Sequence, residues 1–359
     1  MGKAGCCVLV LLCAFALGAS GQQAAVTVPG SAVTPPTPAA VPTHISIDVV
    51  VEGKDGKPVP ELEPTDLTLL DNGQPRKVLA FRRTDGGTGN RVDLPEEVII
   101  VLDSVNMPYQ AVTLLRLQVE KFLRANGGHL AQPTSVFVFA SEGLRVQPTP
   151  SKDGNALADA INTSVGTVRS RGSAAGDYGL AEQFQTSVQT LNSIAENEKR
   201  KPGRKMVIWL GNGWPLLNQR QFESVKTNEL ERQYFDDILR LSKGLREARV
   251  SLYLVYTLNS ADDRYLFEDY LKPVKEFHKA NAGNVSAQVL AQQTGGRVME
   301  PSNDIAGQIA ACIGDIGTYY TLIFGVAPAA EPNEYHELKV EVGRSGLSGR
   351  TTTSYYNQP

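Results

Sequence analysis

EVIIVLDSVNMP, residues 97–108, decides the fold. Val98, Ile99, Ile100, Val101 and Leu102 form an unbroken β-branched and leucine run that stops on Asp103. A run without polar alternation reads as a strand covered on both faces. A carboxylate at the carboxyl end of such a strand sits where open parallel α/β sheets bind their ligands.

Outward from this stretch, strand and helix signals alternate. Val112, Leu115, Val119, Phe122 and Leu123 recur at helical spacing and end at Asn126-Gly127. SVFVFA (135–140), MVIWL (206–210) and VSLYLV (250–255) read as further buried strands. Leu180, Phe184, Val188, Leu191 and Ile194 mark an amphipathic helix, and 222–248, 286–294 and 305–316 read as helices around a short strand at 297–299. This rhythm specifies an α/β domain over 91–317 with a doubly wound, mostly parallel sheet.

The flanks, 44–90 and 318–359, are β instead. Strands are expected at 45–52, 66–70 and 76–83, separated by the turns Gly53-Lys54-Asp55-Gly56 and Asp71-Asn72-Gly73. Others are expected at 319–326, 337–342 and 351–356. Three strands do not close a stable sandwich alone. The two ends are therefore expected to meet in one small β-domain, with the α/β domain inserted between them.

Lys3 is followed by an uncharged, mostly apolar run from Ala4 to Ala19, and Ala19-Ser20-Gly21 suits a signal-peptidase site. The run is shorter than the roughly 20 residues of a spanning helix, so 1–21 is expected to be a cleaved signal peptide. The mature protein is then periplasmic or secreted, with no transmembrane segment. Residues 22–43, rich in Ala, Thr, Val and Pro, read as an extended linker. Of four cysteines only Cys312 lies beyond the signal, so no internal disulfide is expected.

A net charge of −3 gives no sign of nucleic-acid binding. The one basic cluster, Lys199-Arg200-Lys201 with Arg204-Lys205, reads as a solvated turn. No G-x-G-x-x-G or P-loop follows a predicted strand. The four histidines are scattered without zinc spacing, and none accompanies a nucleophile elbow. A catalytic function is therefore not expected.

Several motifs in order resemble the bacterial VWFA-related family (von Willebrand factor type A-like). They are Asp55-Gly56 and Asp71-Asn72-Gly73, the strand ending on Asp103, and Gly203-Arg204-Lys205 leading into MVIWLGNGWP. The late Tyr319-Tyr320, Phe324-Gly325 and Pro328 run completes the set. The resemblance covers roughly residues 44–356. It implies a VWA-type, Rossmann-like α/β domain, an exported protein and no common catalytic activity.

The family's metal-ion-dependent adhesion site uses D-x-S-x-S, a threonine and a second aspartate, because Mg²⁺ wants hard oxygen ligands in an octahedron. Asp103 matches the first aspartate, but Val105 and Met107 fill the serine positions. The resemblance places Ser173 in the threonine slot and Asn212 in the third-loop slot. Ser104 and Asn106 could supply oxygens if the loop were rotated. Trp214 is expected at the rim as a ligand contact. The expectation is a degenerate site with no cofactor, or with weakly bound Mg²⁺, Mn²⁺ or Ca²⁺. The bland alternatives have Asp103 binding its own loop N–H groups, Asn106 capping the next helix and Asn212 forming a turn. Together these readings point to a non-catalytic, metal-independent module that binds an unknown protein in the cell envelope or outside the cell. A cation-dependent adhesion domain is the alternative, and an enzyme stands third.

Overall fold

A computed structural model describes residues 43–85, 96–141, 143–146, 149–165, 176–214, 227–257 and 267–359. The signal peptide, most of the linker, the expected boundary near residue 90 and Ser173 lie outside the described residues. Four strands come first: β1 (Thr43–Glu52), β2 (Leu67–Asp71), β3 (Gln74–Pro75) and β4 (Val78–Asp85). Next come β5 (Glu96–Asp103), α1 (Tyr109–Arg124), β6 (His129–Ala140), β7 (Gly143–Val146) and β8 (Ser151–Asp153). Helices α2 (Gly154–Val165) and α3 (Gly176–Glu198) lead to β9 (Arg204–Gly211), α4 (Asn228–Glu247) and β10 (Val250–Tyr256). The α/β segment closes with α5 (Ala287–Gln293), β11 (Val298–Met299) and α6 (Ile305–Ile313). Strands β12 (Thr318–Val326), β13 (Glu334–Val342), β14 (Ser348–Arg350) and β15 (Ser354–Asn357) end the chain.

The apolar strands meet in a seven-stranded sheet of order β11-β10-β9-β5-β6-β7, with β8 also paired to β6. Strands β11, β10, β9, β5 and β6 run parallel, whereas β7 and β8 pair antiparallel with β6. Neither short antiparallel strand was expected from the sequence. Period-2 alternation divides the central strands between two cores. Ile99, Val101, Val207, Trp209 and Leu252 pack under Phe184, Leu191, Leu241 and Leu245 of α3 and α4. Val98, Ile100, Met206, Ile208 and Tyr253 pack under Val112, Leu115, Leu157 and Ile309 of α1, α2 and α6. Helices on both faces are why these strands carry no polar alternation. Counted along the main path, the strand order is 3-2-1-4-5-6, so the winding reverses between β5 and β9.

The chain ends build two four-stranded sheets, β14-β1-β12-β4 and β15-β13-β2-β3. Both are antiparallel: Ile45 faces Phe324 and Ile47 faces Leu322 in one, and Leu69 faces Val340 in the other. Ile47, Val49, Leu69, Leu322, Phe324, Val340 and Tyr355 share one core between the sheets. Strands from both ends of the chain thus contribute to each sheet and to the one core between them.

The basic cluster divides: Lys199, Arg200 and Lys201 are exposed, as the sequence reading expects, and the other two residues correct it. Arg204 and Lys205 are buried, 1% and 2% exposed, rather than solvated. Arg204 lies over the Tyr319 ring, 4.7 Å from its centroid, and donates Nη1 to the Asp315 carbonyl at 2.7 Å. Lys205 Nζ donates to the carbonyls of Lys201 (2.5 Å) and Ala248 (3.1 Å), and burial pulls its pKa down to about 8. These residues begin β9, where the β-module meets the sheet. Arg249, just before β10, holds Asp48 through Nη2 (2.6 Å) and Nε (3.1 Å). Arg297, just before β11, bonds Glu52 and donates Nε to Asp315 at 3.0 Å. Arg350 of β14 donates Nη2 to the same carboxylate at 2.6 Å, and Tyr253 Oη does so at 2.9 Å. These arginine–carboxylate contacts join the β-module to the amino-terminal ends of the parallel strands, opposite the edge where Asp103 lies.

Candidate functional site

The switch point is built from the ends of β5 and β9. Gly211 brings the two backbones together: a Cβ there would lie 3.0 Å from Asp103 Cβ and 3.3 Å from Met107 Sδ. Asp103 is 0% exposed, and both carboxylate oxygens are engaged. Oδ1 accepts the backbone N–H of Val105 (3.0 Å) and of Asn106 (2.9 Å). Oδ2 accepts Asn106 Nδ2 (2.7 Å) and Trp209 Nε1 (2.9 Å). Burial pushes the Asp103 carboxyl above the ordinary aspartate range, against the pull of these four donors.

The other sequence-predicted residues are committed elsewhere. Ser104 donates Oγ to the Phe139 carbonyl at 2.6 Å, tying the loop to β6. Asn106 donates Nδ2 also to Ser187 Oγ (3.0 Å) on α3; Pro108 takes the cap position of α1, without a side-chain hydrogen bond. Asn212 accepts the Thr257 hydroxyl, linking the ends of β9 and β10. The left-handed conformation at this turn belongs to Gly213 (φ 78°), not to Asn212. Ser173 lies outside the described residues, so the structure brings Asp103, Ser104 and Asn106 together beside Asn212 and leaves the fifth position unplaced.

Trp214 is not at a rim. It is 2% exposed and packs edge-on against Trp209 (5.3 Å between centroids) and Phe184 (6.3 Å). An indole three residues past a buried strand finds more apolar area under α3 than in solvent. Val105 and Met107 are likewise buried, on opposite faces of the sheet. Sequence reading missed Trp209, whose indole N–H reaches Asp103. A tryptophan within an aliphatic strand must place that donor on something, and this was the available signal. It also missed Gln183 and Ser187 of α3. Gln183 Nε2 donates to the Val105 carbonyl at 3.2 Å and Ser187 Oγ to the Gln183 carbonyl at 2.8 Å.

These residues do not fit a divalent cation. An oxygen ligand must aim a lone pair at the ion, and both oxygens of Asp103 aim theirs at N–H hydrogens. The serine positions of the adhesion-site pattern hold buried hydrocarbon and thioether. Among the described residues, no group of three or more His, Cys, Asp or Glu side chains is placed to hold a metal.

No family model matches the chain, and no curated protein matches it. Solved structures with similarity include the human COPII-coat protein Sec24c (TM-score 0.31, 11% identity, 76% of this chain and 45% of that one). The manganese-loaded Plasmodium vivax TRAP protein matches at TM-score 0.31 and 10% identity, over 76% of this chain and 96% of that one. The TFIIH p34 N-terminal domain matches at TM-score 0.31 and 9% identity, over 62% and 98%. This chain spans less than half the length of the Sec24c chain. At this degree of similarity none of them bears on what the chain does.

Proposed function

We propose that this chain is an exported, non-catalytic VWFA-related module that binds a protein partner at the carboxyl edge of its sheet and along the outer side of α1. The observation that carries this reading is apolar exposure. Among the described residues, five large hydrophobic side chains are strongly exposed, and three of them, Tyr109 (57%), Leu114 (65%) and Leu117 (49%), lie on α1. That helix starts directly after the Asp103 loop, while its Val112, Leu115, Val119 and Leu123 face the core. Clustered exposed hydrocarbon on one element marks an interaction surface, whereas scattered single residues do not.

The strand order and the buried carboxylate at the switch point support the family resemblance. The uncharged run from Ala4 to Ala19 supports export. Among the described residues no helix is long and apolar enough to cross a membrane. Catalysis is disfavoured because Asp103 has no open lone pair for a substrate.

A photo-crosslinking residue at Gln110, next to Tyr109 on exposed α1, tests the proposal in the native envelope or secreted fraction. It should capture one defined protein, and Leu114→Glu with Leu117→Glu should abolish capture while leaving the unfolding midpoint unchanged. Capture that survives the double substitution, or that occurs equally from positions on β13, would sink the idea.

A further inference from the structure

The family's pattern holds a cation at the aspartate that Asp103 matches, and the donor set around Asp103 excludes one. We infer that Asn106 and Trp209 take the cation's place, so that the loop of residues 104–107 is fixed in one arrangement by N–H groups of the protein itself. The first support is completeness. Four donors between 2.7 and 3.0 Å, two backbone and two side-chain, occupy both carboxylate oxygens from the loop and from β9. An acceptor-only carboxylate matches four donors without a conflict.

The second support is that each surrogate is itself held. Asn106 Nδ2 also reaches Ser187 Oγ at 3.0 Å, which is in turn anchored to the Gln183 carbonyl. Turning the amide over would set its oxygen against Asp103 Oδ2, so the carboxylate fixes the amide's orientation. Asn106 Oδ1 consequently stays buried without a hydrogen-bond partner in the structure. The Trp209 ring is fixed between Phe139 (5.6 Å) and Trp214 (5.3 Å), both edge-on. Rigid N–H groups aimed at one carboxylate hold the loop geometrically as an ion would, without an ion's charge and without an equilibrium with free metal. The third support is the chemistry of the remaining positions. Val105 and Met107 are buried 3% exposed in the two cores, so the loop has invested its serine positions in packing.

This inference holds whether or not the α1 face binds a partner, and its test does not use one. Native-state hydrogen exchange at the Val105 and Asn106 amides, with millimolar Mn²⁺ or with chelator, reads the loop directly. The wild type should show the same slow exchange in both. Trp209→Phe, which keeps ring packing, and Asn106→Ala should each accelerate exchange at these amides by about tenfold, the cost of losing one buried charge-assisted donor. Trp209→Phe combined with Asn106→Ser frees Oδ2 and adds a hydroxyl, and there Mn²⁺ should slow exchange again unless Asp103→Asn is also present. Two results overturn the inference. One is wild-type protein whose loop is slowed by Mn²⁺ and loosened by chelator in an Asp103-dependent way. The other is unchanged exchange in both Trp209→Phe and Asn106→Ala.

Discussion

Two aspartates lie buried at opposite edges of the same sheet, and they are kept in different ways. Asp315, 1% exposed, accepts from Arg297, Arg350 and Tyr253, so formal positive charge surrounds it. Asp103, 0% exposed, accepts only from neutral N–H groups. The Asp315 edge joins two modules contributed by distant parts of the chain, and ion pairs there specify how those modules meet. The Asp103 edge shapes one loop, and dipoles suffice for that. At Asp103 the protein's own hydrogen-bond donors complete the carboxylate site.

The comparison breaks most easily at Asp315. Asp315→Ala leaves Arg297 and Arg350 with Glu52 as their shared carboxylate and strips Tyr253 of its acceptor, so urea unfolding should show a loss at the lower end of about 3–5 kcal/mol. A loss under about 1 kcal/mol, the level of an exposed pair, would show that the charges there specify nothing. Asp103→Asn is milder, because the new amide keeps one acceptor and turns its own N–H groups toward Asn106 and Trp209. We expect about 1–3 kcal/mol, read as a lower denaturation midpoint at unchanged m-value.

Lys205 sharpens the contrast through pH. Its pKa is depressed to about 8 by burial, whereas an exposed lysine titrates near 10.5. The unfolded chain therefore binds more protons between these values, and stability from this position is full above the unfolded pKa and lost as pH falls through about 8. Lys205→Met removes the ionisable group, so the wild type should gain stability relative to the variant between pH 7 and pH 10, measured as paired thermal midpoints. A constant difference across that range would mean that the buried amine does not titrate there. The smallest effect is expected at Asn212. A carboxylate there still accepts the Thr257 hydroxyl, so Asn212→Asp should stay within about 0.5 kcal/mol and confer no Mn²⁺ stabilisation. A clear metal-dependent gain from that one change would reopen the Asp103 edge as a cation site.

Much of the fold was legible because the central strands are apolar without interruption. Val98 to Leu102 and Met206 to Leu210 lie side by side in parallel, with Ile100 opposite Ile208, as two fully covered strands must. The edge strands β7 and β8 were not legible, since four- and three-residue segments carry too little periodicity to register. At the site, Asp103 announced itself by standing where a strand stops. Trp209 and Ser187 did not, because their roles depend on contacts across 106 and 81 residues of chain.

By itself the sequence determined an α/β segment flanked by β strands at both ends and a carboxylate at a strand's carboxyl end, because periodicity and residue type act locally. It also determined that Val105 and Met107 carry no oxygen. Only the tertiary structure decided which groups satisfy that carboxylate, since a buried acceptor takes whatever donors the packed neighbours bring within about 3 Å. It likewise decided that Arg204 and Lys205 are buried: a basic run is solvated by default, but Tyr319 of β12 covers Arg204 and the chain after α3 and α4 takes up the Lys205 ammonium. That the amino-terminal end of the sheet is covered follows from the docking of the β-module, because the strands that cover it come from sequence more than 200 residues apart.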